Sequence, residues 1–167
     1  MSSLRLRPPH LGDEEAVLTA QRELEVEDVV FAFLRPGQTF GEFVRMVDDQ
    51  RHGRSIDLDW VESTWLLAEV DGVVVGRSSI RFELNEHLLN EGGHVGYAVR
   101  PGHRRLGYAT EILRQSLVVA RAGGVQQVLV TCDDHNVGSA KAIEANGGLL
   151  ENTIHTDGVP LRRYWIH

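Results

Sequence analysis

A chain of 167 residues, 42% hydrophobic and 25% charged, is long enough for a substantial core and has the composition of a globular protein. Its net charge of −7 leaves no basic stripe for nucleic-acid phosphates, and no apolar run approaches the roughly 20 residues of a membrane span. The single cysteine, Cys132, rules out an intramolecular disulfide and a thiolate zinc cluster, so no metal is expected. The N-terminal stretch MSSLRLRPPHLGDEE lacks the long apolar region of a signal peptide, which makes a cytoplasmic protein the expectation. No repeat, low-complexity tract or linker interrupts the chain, and residues 1–167 read as one domain.

Residues 4–7 alternate apolar and charged and stop at Pro8-Pro9, as a short first strand would. Asp13 is a candidate helix cap, with Glu14 and Glu15 in the first turn and Ala16, Val17, Ala20 and Leu24 at helical spacing. A second helix is predicted from Thr39, with Phe40, Phe43, Val44 and Val47 on one face and Gly53 as its stop. Between them, residues 29–37 (VVFAFLRPG) are too apolar for a solvated loop and either line a pocket or cover the core. Residues 54–62 read as loop. A strand over 65–70 then turns at Asp71-Gly72 into a long strand from Val73 to about Leu84. Alternation puts Arg77, Ser79, Arg81 and Glu83 on one of its faces. There Arg81 can grip a substrate carboxylate or phosphate, or pair with Glu83, the simpler use of the two.

The stretch VGYAVRPGHRRLGYATEIL, residues 95–113, is the centre of the chain. A short apolar strand runs into a turn with Pro101, Gly102, Arg104 and Arg105, then into a helix that stops at Gly123-Gly124. A helix start leaves about four N–H groups without intrahelical partners, and the positive end of the dipole adds to them. Gly107 and Ala109 leave room for a phosphate to reach that backbone, and the two arginines add charge and forked donors. The residues thus describe a strand–turn–helix that grips a diphosphate. Neither the P-loop pattern nor the Rossmann glycine pattern is present. After it come a strand over 125–132, a polar loop DDHN, a short helix ending at Gly147-Gly148, and a C-terminal hairpin around Asp157-Gly158.

The R-x-x-G-x-A spacing of Arg104, Gly107 and Ala109 directly after a strand resembles motif A of the GCN5-related N-acetyltransferase (GNAT) superfamily. Residues 136–147, NVGSAKAIEANG, resemble its motif B. The order of elements, βααββ-βαβαββ, is similar to the family's across essentially the whole chain. The resemblance implies an α+β fold: a mixed, mostly antiparallel sheet of about seven strands with helices on both faces, splayed where acetyl-CoA lies. It also implies cofactor contacts from Ala98 and Val99 on the strand, from Arg104, Arg105, Leu106, Gly107, Tyr108, Ala109 and Thr110 on the loop and helix, and from Asn136 and Ser139. Asn136 is equally a common helix cap.

One departure stands out. Where many members of the family carry a tyrosine assigned as the acid for the departing thiolate, this chain has Ile143. A thiol of pKa ~8.5 leaves without much help, and His135, Ser139 and Tyr164 are other donors. His94 stands where members often carry a catalytic glutamate; it and Glu83 are the competing candidates for the base. Tyr97 points to the substrate or packs, and a backbone N–H around 97–99 is the implied oxyanion donor.

The activity implied is acetyl transfer from acetyl-CoA to a primary amine of a small acceptor, by direct attack in a ternary complex. The alternatives are a non-catalytic CoA-binding sensor domain, a protein N-terminal or lysine acetyltransferase, or transfer of another acyl group. Nucleic acid and membrane are not expected partners. Paired subunits are common in the family, so a homodimer is an expectation of the same kind.

Overall fold

The computed structural model describes residues 3–54 and 61–167. In chain order it runs β1 (Arg5–Arg7), α1 (Glu14–Glu25), α2 (Phe40–Arg51), β2 (Ser63–Val70), β3 (Val73–Arg81), β4 (Val95–Val99), α3 (Tyr108–Ala122), β5 (Val128–Asp133), α4 (Val137–Ala145), β6 (Leu149–Thr156) and β7 (Val159–Ile166). Every residue of β2 is buried, as a strand covered on both faces must be. On one face Trp65 and Leu67 pack with Phe43 and Val47 of α2 and Val17 and Leu24 of α1. On the other, Leu66 and Ile80 pack with Leu113 and Leu117 of α3. Each fully buried side chain of this size contributes roughly 1.5–3 kcal/mol relative to exposure.

The seven strands and the helices on both faces agree with the α+β expectation, but the strands form two antiparallel sheets, ordered β1-β2-β3-β4 and β5-β7-β6. Both Asp-Gly hairpins turn as the sequence requires. Asp71 and Gly72 have φ of 49° and 80°, and Asp157 and Gly158 have 48° and 81°. Thr39 caps α2 in a reciprocal box with Glu42.

Asp13 departs from its expected role. His10 caps a short 3-10 turn at Leu11–Asp13, while the buried Asp13 carboxylate takes two 2.8 Å hydrogen bonds from Arg7 and one from the His10 N–H. It closes β1 onto the first helix. Strand β3 ends at Arg81, short of Leu84, because Asn85 Oδ1 accepts from the Leu88 N–H and starts a π turn at Leu88–Gly92.

The apolar segment 29–37 does both of the things open to it. Phe31 and Ala32 are buried in the core beside Trp65, whereas Phe33 turns to the cleft described next. The loop expected at 54–62 lies largely outside the described residues.

Candidate active site: a cleft between two sheets

The site begins at the point where the sheets meet. The His94 N–H donates to the Leu129 carbonyl at 2.7 Å, and the Leu129 N–H donates to His94 Nδ1 at 2.9 Å. Gly93 permits this approach: its φ is 64°, and a Cβ there would lie 2.6 Å from the Leu129 carbonyl oxygen. Past this pin β4 and β5 share no ladder. A cleft of about 290 Å³ opens between them.

The free edge of β4 follows from the ladder on its other side. The Arg81 N–H donates to the His94 carbonyl, and the Arg100 N–H to that of Val75. Strand alternation therefore turns the main-chain groups of 96 and 98 toward β3 and those of Val95, Tyr97 and Val99 toward the gap. Across the gap, the Tyr97 hydroxyl lies 2.8 Å from Ser139 Oγ on α4. Burial is the main reason its pKa is pushed up to about 12, against the pull of the Ser139 hydrogen bond. Tyr97 thus remains a protonated donor at neutral pH. Asn136 caps α4, its Oδ1 accepting the Ser139 N–H at 3.0 Å, and also lines the cleft. Both uses open to it in the sequence are compatible.

At the far end of β4 the chain makes an anion cradle. Arg105 and Gly107 have φ of 63° and 81°, and α3 starts at Tyr108. The six N–H groups from Arg105 to Thr110 have no main-chain acceptor among the described residues. Left-handed residues alternating with right-handed ones, followed by a helix start, concentrate donors in this way.

The side chains around this loop are arranged differently from the expectation. Arg104 donates from Nη1 and Nη2 to both Glu27 carboxylate oxygens, at 3.0 and 2.7 Å, and from Nε to the Val99 carbonyl. Arg100 makes the same forked contact with Glu23, one helical turn earlier. These bonds hold both carboxyls below their ordinary range. Arg100 and Arg104 therefore tie α1 and the turn after it to the cradle, and Arg105 is exposed at the loop tip. Leu106 is also exposed, and Tyr108 packs on the core beside Ile112. The Thr110 carbonyl accepts from the side-chain amide of Asn146, just past the end of α4. Ala98 is buried with its carbonyl facing β3, so neither its side chain nor its main chain reaches the gap.

The expected bases also fall in unexpected places. His94 is buried, and Nδ1, its one lone pair when neutral, is taken by the Leu129 N–H. Burial first, then the charge of Arg81, lowers its pKa. The imidazole is a pin between sheets, with no free acceptor for a substrate proton. Glu83 is exposed beyond the end of β3 and does not line the cleft. Asp133, at the end of β5, is the carboxylate among the cleft's described lining residues. Nothing in its spacing marked it. The motif B position Ile143 is fully buried, Tyr164 donates to Glu144 away from the cleft, and His135 is exposed.

Arg77 and Arg81 line the cleft as well. The predicted Arg81–Glu83 pair does not form; among the described residues Arg81 Nη1 reaches only the carbonyls of Gly92 and Gly93, at 3.3 Å each. Arg77 donates to the carbonyls of Phe31 and Val30, and its guanidinium carbon lies 5.7 Å from the centre of the Phe33 ring. Burial, then the neighbouring Arg81, pushes Arg77 down to about 10, and burial lowers Arg81 too.

A main-chain anion cradle past one end of β4, with a cleft beside that strand holding a phenol, a carboxylate and two guanidiniums, is the layout of a group-transfer enzyme. The model of the acetyltransferase (GNAT) domain matches residues 3–148, and the chain belongs to that family of acyltransferases. No curated protein matches the sequence. Among solved structures the chain is similar to yncA, a putative acetyltransferase from Salmonella typhimurium with acetyl-CoA, at 17% identity and TM-score 0.67 over 98% of this chain and 93% of that one. It is also similar to an N-acetyltransferase from Staphylococcus aureus Mu50, at 17% and 0.69 over 99% and 98%. A third is the microcin C7 self-immunity acetyltransferase MccE in complex with acetyl-CoA and AMP, at 15% and 0.67 over 97% and 91%.

Proposed function

We propose that this protein transfers an acetyl group from acetyl-CoA to the primary amine of a small acceptor by direct attack, both substrates being bound at once. The observation that carries this reading is the run of free N–H groups from Arg105 to Thr110, continuous with the free edge of β4. The cradle receives the diphosphate of the cofactor. The N–H and C=O groups of Tyr97 and the N–H of Val99 receive the amide-bearing arm, and a donor on this edge faces the thioester oxygen as negative charge develops. Structures of the family solved with acetyl-CoA support the choice of donor.

Alignment of two bound reactants contributes on the order of 7–11 kcal/mol in good intramolecular models. The rest falls to side chains. Asp133 holds the acceptor ammonium and passes its proton to water at the open mouth of the cleft. The neutral amine attacks the thioester carbon, the nitrogen of the tetrahedral adduct loses a proton to water, and the adduct collapses with cleavage of the carbon–sulfur bond. Tyr97, through Ser139, supplies a proton to the leaving thiolate. This phenol answers the loss of the motif B tyrosine and favours an enzyme over a silent CoA sensor.

Calorimetric titration with acetyl-CoA, together with thiol release in the presence of an amine panel, tests the reading. Micromolar binding that Gly107→Val abolishes, with thiol released only when an amine is present, is the expected result. A folded protein that binds no acetyl-CoA sinks the proposal.

A further inference from the structure

The acceptor end of the cleft contains more positive charge than its described neighbours use. Arg77 is 7% exposed, yet no carboxylate pairs with it or with Arg81 among the described residues. Arg77 spends Nε and Nη2 on two main-chain carbonyls, at 3.1 and 2.6 Å, and that use pins residues 30–31 over the sheet. Its Nη1 has no hydrogen-bond acceptor among the described residues. Nor do Nε and Nη2 of Arg81, whose contacts at 3.3 Å are long for a charged donor.

The free ends converge. A Cβ on Gly96 would stand 3.6 Å from Arg81 Nη1 and 3.7 Å from Arg77 Nη1, so both guanidiniums border the space above that glycine. Phe33 flanks Arg77 from the side. Two like charges held together out of water are costly unless an anion joins them. A structural role accounts for half of Arg77 and almost none of Arg81.

Resting on the acetyl-transfer reading above, we propose that the acceptor is a small amine that also carries an oxyanion group, a carboxylate or a phosphate, held by Arg77 and Arg81 over Gly96. The same cleft presents Asp133 to the ammonium, so the site offers opposite charges to the two ends of one small molecule. The arginines sit at the pinned end of the cleft, beside residues 92–96, while the diphosphate cradle lies past Val99 at the other end of β4. The two anion sites are separate. Planar forks suit either oxyanion bidentately, and the choice between the two is left to experiment.

The test has a binding arm and a turnover arm. Protein saturated with CoA, so that the cradle is filled, is titrated with inorganic phosphate and separately with acetate. At least one anion binds, and Arg81→Gln weakens it on the order of tenfold, as loss of a charge-assisted hydrogen bond should. Acetylation rates are then compared within two matched pairs, β-alanine against its amide and aminoethyl phosphate against aminoethanol. The anionic member of one pair has the higher kcat/KM by about tenfold or more, and Arg81→Gln removes that preference. The pair that shows it identifies carboxylate or phosphate.

Gly96→Ala gives the same loss by filling the floor at ordinary contact distance, and stands in should Arg81→Gln fold poorly. Acetylation of neutral and anionic amines at equal rates overturns the inference and leaves acetyl transfer standing. Anion binding lost in Arg81→Gln, with no amine acetylated, upholds the anion site and overturns the acetyl-transfer reading instead. Absence of anion binding in the wild type, or binding indifferent to Arg81→Gln, overturns the anion site.

Discussion

The two ends of the cleft treat charge in opposite ways. At the cradle the donors on offer are main-chain N–H groups, and the nearby Arg100, half-buried, and Arg104, exposed, are paired with Glu23 and Glu27. At the pinned end two guanidiniums line the cleft, that of Arg77 buried, and neither pairs with a carboxylate among the described residues. A cofactor site built on backbone depends on local conformation and tolerates changes in side chains. An acceptor site built on buried side chains depends on elements far apart in sequence, and it is where specificity can change without disturbing the donor.

The largest effect expected from breaking this contrast is at Gly107. A β-branched residue at φ 81° is strained and covers the N–H row, so Gly107→Val should weaken acetyl-CoA by on the order of 100-fold or more. Titration calorimetry reads the loss, and the exposed position lets circular dichroism show an unchanged fold.

Next in size is Tyr97→Phe, which removes the proton donor but not the packing. A fall in kcat of roughly tenfold with little change in KM for acetyl-CoA is expected. An equal loss in both parameters would mean that the phenol only binds.

The pin between the sheets has a pH signature. Burial and Arg81 keep His94 neutral below its ordinary value, while the unfolded chain takes up that proton near pH 6.5. Stability therefore falls as pH drops through 6.5 toward the folded pKa, and the His94 contribution levels off below it. His94→Asn, whose carboxamide oxygen can accept from the Leu129 N–H, should show a shallower fall in urea midpoint between neutral and mildly acidic pH than the wild type.

The smallest effect is predicted for Glu27→Gln. The Arg104–Glu27 contact is exposed, and such pairs contribute little. Acetyl-CoA affinity should change by no more than about twofold; a larger change would transfer the weight of diphosphate binding from backbone to the Arg104 side chain.

Much of the fold was legible because it is written in local signals. The two Asp-Gly pairs specify hairpins through positive φ at adjacent residues, Thr39 and Glu42 specify a helix start, and Gly123-Gly124 specifies a stop. The cradle was legible for the same reason: R-x-x-G-x-A describes a left-handed turn at a helix start, which neighbours in sequence fix among themselves. The assignments that changed were those that depend on distant partners. Asp13 looked like a cap until Arg7 took its carboxylate, and Arg104 looked like a diphosphate donor until the turn after α1 brought up Glu27.

By itself, then, the sequence determined the order of elements and the donor-rich turn at the start of α3, because backbone geometry and short-range periodicity follow from residues a few positions apart. Only the tertiary structure decided which side chains share the cleft. His94 became a pin because Leu129, 35 residues on, presents its N–H to Nδ1. Glu83 was left outside because β3 stops two residues earlier, and Asp133 entered because β5 ends beside β4 without pairing to it. Arg77 and Arg81 came to share the cleft with no carboxylate paired to either among the described residues, and burial, which sets the value of a charge, is a property of the assembled molecule.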